Sequence, residues 1–183
     1  MTKIDFMSYD QSLPRARRAV LTAIPPDRTT VKAYHRELLD IFRKEIDFRK
    51  SLSSREVVDE ADYFESIYHC ALMRYLIGDP ADVLLMWEAK HIDMDMSCGF
   101  DIQFTVGAGV SETIAHLTAH SHAKIADFLQ GLRAHKDFDN LEKWERFRIG
   151  LLLWEPIFLL SDEGHATKDF SNCAQESGSL MGQ

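Results

Sequence analysis

The chain is poor in residues that staple a fold or ligate a metal. Its 183 residues include three cysteines, Cys70, Cys98 and Cys173, widely spaced and forming no Cys-x-x-Cys pair. An odd, scattered set argues against a disulfide framework and a zinc ribbon, and points to a reducing compartment. Long apolar runs are missing too. The most apolar stretch, Ile149 to Leu160, is interrupted by Glu155 and Pro156. It is shorter than the roughly 20 residues a helical membrane span requires. The opening segment, Met1 to Asp10, has no apolar core behind Lys3 and does not read as a secretory signal. These absences together predict a cytoplasmic protein that does not engage a membrane.

Cations are the minority sign. Lysine plus arginine is 21 and aspartate plus glutamate is 29, so the formal charge is 21 − 29 = −8. Such a chain repels phosphate backbones, which disfavours nucleic acid as a partner, and it attracts basic proteins. The same charge also serves solubility alone. Complete catalytic and cofactor signatures are lacking. There is no Gly-x-Ser-x-Gly, no His-Glu-x-x-His and no P-loop lysine, and Gly107-Ala108-Gly109 lacks the third glycine of a dinucleotide fingerprint. No cofactor is expected.

Helical periodicity dominates what is present. Apolar residues at 45% and charged residues at 27% match ordinary globular composition, and the length suits one domain with a sizeable core. Pro14 suits the first turn of a helix to Ile24, ended by Pro25-Pro26; Arg15, Arg17 and Arg18 read as its solvated face. Thr29 or Thr30 can cap a helix to about Leu52, with Tyr34, Leu38, Ile41, Phe42, Ile46 and Phe48 on its apolar side. Ser53 and Glu56 fit a capping box opening a long helix to Ile77. Gly78 suits the residue after that helix, Asp79 caps the next and Pro80 starts it, through Trp87 to Lys90 or His91.

Residues 92–99 read as a loop. From Phe100 to Val106 apolar and polar residues alternate as in a strand, but no second strong strand exists to pair with it, so a short helix is preferred. Further helices run from Val110 to His120 and from Ser121 or His122 to Ala134. A last one is capped by Asp137 or Asp139 and broken at Pro156. The fold class is therefore all-α: a single-domain bundle or short α-solenoid of about six to eight helices with short loops, over residues 1–160. Residues 161–183 are polar and read as a flexible tail.

Three constellations bear on function. Glu112, His116 and His120 fall at i, i+4 and i+8, with His122 nearby, so they share a helical face. Two histidines one turn apart can hold zinc, but further ligands are not apparent, and a solvated face is the ordinary reading. Asp93-x-Asp95-x-Ser97 begins like a calcium loop, then places Cys98 where glycine and Phe104 where glutamate is required. Glu88, Asp93, Asp95 and Asp101 remain as an acidic group around one loop. Loops are polar by default, yet such a group also suits a basic partner surface. Together with Glu112, these four are the candidate partner-binding residues. Cys70 lies in an apolar stripe and reads as an inert buried thiol. Trp87, Trp144 and Trp154 lie in helical apolar patterns and read as core.

The run Trp87-Glu88-Ala89-Lys90, the acidic loop and Gly99-Phe100-Asp101-Ile102-Gln103-Phe104-Thr105-Val106-Gly107-Ala108-Gly109-Val110-Ser111-Glu112-Thr113-Ile114 resemble small helical bacterial immunity proteins of polymorphic or contact-dependent toxin systems. The resemblance covers about a quarter of the chain. It implies a stoichiometric inhibitor, not an enzyme, that binds a cognate toxin or other basic protein through an acidic surface. An α-helical repeat scaffold is the alternative. A metal-dependent hydrolase built on Glu112, His116 and His120 is a third reading.

Overall fold

A computed structural model describes residues 10–59 and 61–159, with side chains as far as Leu153. The described residues form nine α-helices and no strand, so the chain is all-α. In order these are α1 (Pro14–Ala23), α2 (Arg28–Ala33), α3 (His35–Ser53), α4 (Ser66–Ile77), α5 (Val83–Lys90), α6 (Met94–Gly99), α7 (Val110–Ala119), α8 (Ala123–Ala134) and α9 (Leu141–Leu159). Short 3-10 turns at Tyr63–Glu65, Pro80–Asp82 and Ile102–Val106 link them.

The core is built around α4. All but Tyr68 and His69 of its twelve residues are buried, so it is covered all round rather than amphipathic. Helices α1, α2, α3 and α9 and the Ile102–Val106 turn pack on it. Its facing side chains include Leu38, Ile41, Phe42 and Ile46 of α3 and Phe100 and Phe104 beyond α6. A second, smaller cluster of Val83, Val106, Leu117, Ala126, Leu129 and Phe138 holds the α7–α8 pair to the rest. The helix corners follow local chemistry. Gly78 ends α4 at φ 74°, a left-handed conformation suited to glycine, and Asp79 accepts the Ala81 amide at 3.0 Å. At Gly107 space decides instead. A Cβ there would lie 2.5 Å from the Tyr75 carbonyl oxygen, so glycine lets the chain touch the α4 backbone.

Several local expectations are corrected. The helix through Leu72 begins at Ser66, not at Ser53: α3 extends through Ser53, and Arg55 then takes φ 62°. With Ser53 inside one helix, the capping box has no helix start to serve. Asp27, not Thr29 or Thr30, caps α2 by accepting both threonine amides at 3.0 and 2.9 Å, and a break at Tyr34 separates α2 from α3. Residues 94–99, expected as loop, form α6. The alternating stretch is not a strand, in keeping with the short helix preferred for it: Ile102–Val106 forms a short 3-10 helix. Helix α9 continues past Pro156 to Leu159; a proline removes one amide donor without necessarily ending a helix. The proposed tail, 161–183, lies outside the described residues, as does the side chain of Trp154.

Arg17 is the largest departure. It was expected on a solvated face, yet it is buried, with Nε 2.6 Å from Glu45 Oε1. Its Nη1 donates to the carbonyls of Gln11 and Ser12 at 3.1 and 3.0 Å. Burial outweighs the arginine's pull and raises the Glu45 carboxyl above its ordinary range. A second buried pair joins Arg74 to Asp82, and Arg74 also donates to the His35 carbonyl at 2.7 Å. These pairs fix α1 against α3, and α4 against the start of α5.

Candidate functional site

Asp93 is the organising residue of the candidate site. It precedes α6 in an extended conformation, and its Oδ1 accepts the Met96 amide at 2.8 Å. The same carboxylate receives Arg49 of α3 as a fork, Nε to Oδ2 at 3.1 Å and Nη2 to Oδ1 at 3.2 Å. The guanidinium lies 5.3 Å from the centre of the Phe64 ring. Burial alone would raise the Asp93 carboxyl, but the Met96 amide and Arg49 overcome it and hold the group below the usual range. Asp93 therefore stays ionised and acts as a structural anchor.

The neighbouring charges follow a pattern. Lys50, the next residue of α3, reaches Glu88 Oε1 at 2.6 Å. Lys90 turns its ammonium to the carbonyls of Ser97 and Phe100 at 2.7 and 2.8 Å, closing the chain around α6. The Arg49 side chain is only 11% exposed, whereas Asp95, 3.5 Å from it, is 89% exposed. Met94 beside it is 76% exposed. Arg49 and Lys90 thus brace the segment from beneath, and Asp95 faces outward from a fixed backbone.

The five acids singled out in the sequence do not share one site. Glu88, Asp93 and Asp95 meet along the edge made by Arg49 and Lys50. Asp101 turns towards α9, where its Oδ2 accepts Trp144 Nε1 at 2.5 Å and Arg148 Nε at 2.6 Å. Glu112 stands in the first turn of α7. It lines a shallow hollow of about 410 Å³ with Gly109, Arg133, Phe138 and Asp139.

The histidine and cysteine constellations are also placed. The rings of His116 and His120 stack with centroids 4.2 Å apart, and His120 Nδ1 lies 2.8 Å from the His116 carbonyl oxygen. Among the described residues no group of three or more His, Cys, Asp or Glu is arranged to hold a metal. Cys70 is buried, 3.5 Å from the Leu38 carbonyl, and burial pushes its thiol well above the ordinary value. It is an inert thiol, as expected of that position.

One feature of this edge was not read from the sequence. Trp87 was assigned to the core, yet it is only half-buried, and it meets Phe128 of α8 edge-on at 5.3 Å and 73°. The His91 ring lies 4.3 Å from it on α5's end. No sequence signal marked Phe128. It follows Ile125 by three residues and precedes Leu132 by four, as a packed position would, yet it is 47% exposed while Ile125, Ala126, Leu129 and Leu132 pack inward.

No protein family, curated protein or solved structure gives a significant match to the chain. Among the described residues no helix is long and apolar enough to cross a membrane.

Proposed function

We propose that the chain is a non-catalytic binding protein, an immunity protein that neutralises a cognate toxin by covering it with an acidic surface. The observation that carries this reading is the braced segment from Glu88 to Asp95. Arg49, Lys50 and Lys90 hold it in one geometry, while Asp95 and Met94 project into solvent. A surface already fixed before encounter loses less conformational entropy on association, which favours tight binding. Outward acids steer a basic partner toward it and raise the association rate.

Glu112 supports the same reading only if the partner also spans the hollow at the start of α7. Asp101 serves the fold more than the contact, since Trp144 and Arg148 both occupy it. The reading is tested by co-expressing the chain with the product of the gene immediately upstream. Growth arrest by that product alone, relieved by this chain through a one-to-one complex, supports it. Arrest that this chain leaves untouched, with no complex on gel filtration, overturns it.

A further inference from the structure

We infer that His116 and His120 form a two-nitrogen chelate for a borderline divalent transition-metal ion such as zinc or nickel, held at the end of α7 with its remaining coordination positions open. The site goes beyond the binding reading and uses none of the residues of the braced Glu88–Asp95 segment. Imidazole nitrogen is the side-chain donor that suits these ions, and two histidines one helical turn apart present a pair of such donors on one face. Calcium and magnesium take oxygen ligands and do not suit this pair.

The geometry goes further than the spacing. The two rings stack with centroids 4.2 Å apart and planes 29° from parallel. Two nitrogens on one tetrahedral zinc ion lie about 3.3 Å apart, so a small swing of the His116 ring brings the pair to that separation. The His120 ring is already held. Its Nδ1 lies 2.8 Å from the His116 carbonyl oxygen, and a carbonyl only accepts, so Nδ1 carries the proton. The neutral ring then keeps its lone pair on Nε2. A ring N–H spent on a backbone carbonyl is the usual support of a metal-bound histidine. The backbone beneath is fixed as well. The His120 amide donates to the same carbonyl at 3.1 Å, and the His122 amide closes the turn on the Leu117 carbonyl at 2.9 Å. His120 is exposed and His116 half-buried, so an ion reaches the pair from solvent. Among the described residues no third ligand is arranged with them. Two ligands hold an ion less tightly than a closed four-ligand site. His91 is the internal contrast. Its Nδ1 makes the same contact, 2.7 Å from the Trp87 carbonyl oxygen, but its ring lies against the indole and not against a second imidazole.

The test is calorimetric titration of the full chain, free of any histidine tag, with nickel and with zinc chloride, and with magnesium chloride as control. The wild type should bind nickel and zinc but not magnesium. His116→Gln and His120→Gln should each weaken binding about tenfold or more, with most of the loss already present in either single variant. His91→Gln should leave binding unchanged. In nitrogen-15 spectra of the imidazoles, zinc should shift Nε2 of both His116 and His120 while Nδ1 of His120 keeps its proton. That readout is made on the wild type, so it stands even where a substitution unfolds the chain. Binding that neither substitution weakens would place the ion elsewhere and overturn the site. Losses that simply add in the double variant would mean two separate single-ligand contacts and overturn the chelate. No binding at millimolar nickel or zinc would overturn it outright, and the acidic-surface reading would be untouched by any of these results.

Discussion

Arg49 and Asp93 join α3 to α6 through two near-parallel contacts, Nε to Oδ2 at 3.1 Å and Nη2 to Oδ1 at 3.2 Å. Both side chains are mostly covered, and Asp93 serves at once as ion-pair partner and helix cap. Removing the guanidinium leaves a mostly covered carboxylate that keeps the Met96 amide but loses both Arg49 donors. Arg49→Ala should therefore destabilise by about 1–3 kcal/mol in urea unfolding. Arg49→Lys keeps the charge but not the fork and should recover part of that loss. Equal stability in all three proteins would show that the brace is ornamental.

The Arg17–Glu45 pair makes an opposite kind of statement. Both residues are buried, and Arg17 Nη2 and Glu45 Oε2 have no protein partner. Breaking such a pair on one side strands a charge, so Arg17→Met should cost about 3–5 kcal/mol. Replacing both, as Arg17→Met with Glu45→Leu, should cost less than either single change, because no charge is left behind in the core. Thermal unfolding of the four proteins reads this directly. A double variant whose loss equals the sum of the singles would mean that the two residues do not act as a pair.

A pH dependence follows from His69. Desolvation of this half-buried ring on α4, aided by Arg18, lowers its pKa from the ordinary 6.5 to about 4. The folded protein holds this imidazole neutral where the unfolded chain would take up a proton. Its contribution is present above pH 6.5 and is lost as the pH falls towards 4. Wild-type stability should drop across that interval relative to His69→Gln, measured by urea midpoints at successive pH values. A difference between the two that stays flat from neutral pH down to 4 would contradict the assignment.

The parts legible in sequence are those set by neighbours along the chain. Gly78, Asp79 and Pro80 mark a corner because left-handed geometry, an amide cap and a missing donor act within three positions. The apolar face of α3 was legible because Leu38, Ile41, Phe42 and Ile46 repeat at helical spacing, and each is buried. Helix α6 was not, since six residues are too few to display a period. Arg17 was misread because its partner lies 28 positions away and nothing local distinguishes a buried arginine from a solvated one.

The candidate site divides the same way. The acidic residues could be named from sequence, but their pairing could not. Arg49 reaches Asp93 across 44 positions, Lys50 reaches Glu88 across 38, and Arg148 reaches Asp101 across 47. Those contacts decide which acids brace the fold and which face outward. Phe128 is an instructive miss, for it falls three residues after Ile125 and four before Leu132, where helical spacing expects a packed side chain, and neither its exposure nor its encounter with Trp87 was readable along the chain.

The most direct test of the account is calorimetric titration of the purified chain with the protein encoded by the gene immediately upstream. The wild type is compared with a variant carrying Glu88→Gln and Asp95→Asn, the two acids of the edge that are not anchors of the fold. Binding through the acidic edge predicts a one-to-one complex whose affinity falls in the variant and with rising salt, while both proteins unfold at similar temperatures. No complex, or one of equal affinity in wild type and variant at every salt concentration, would contradict it.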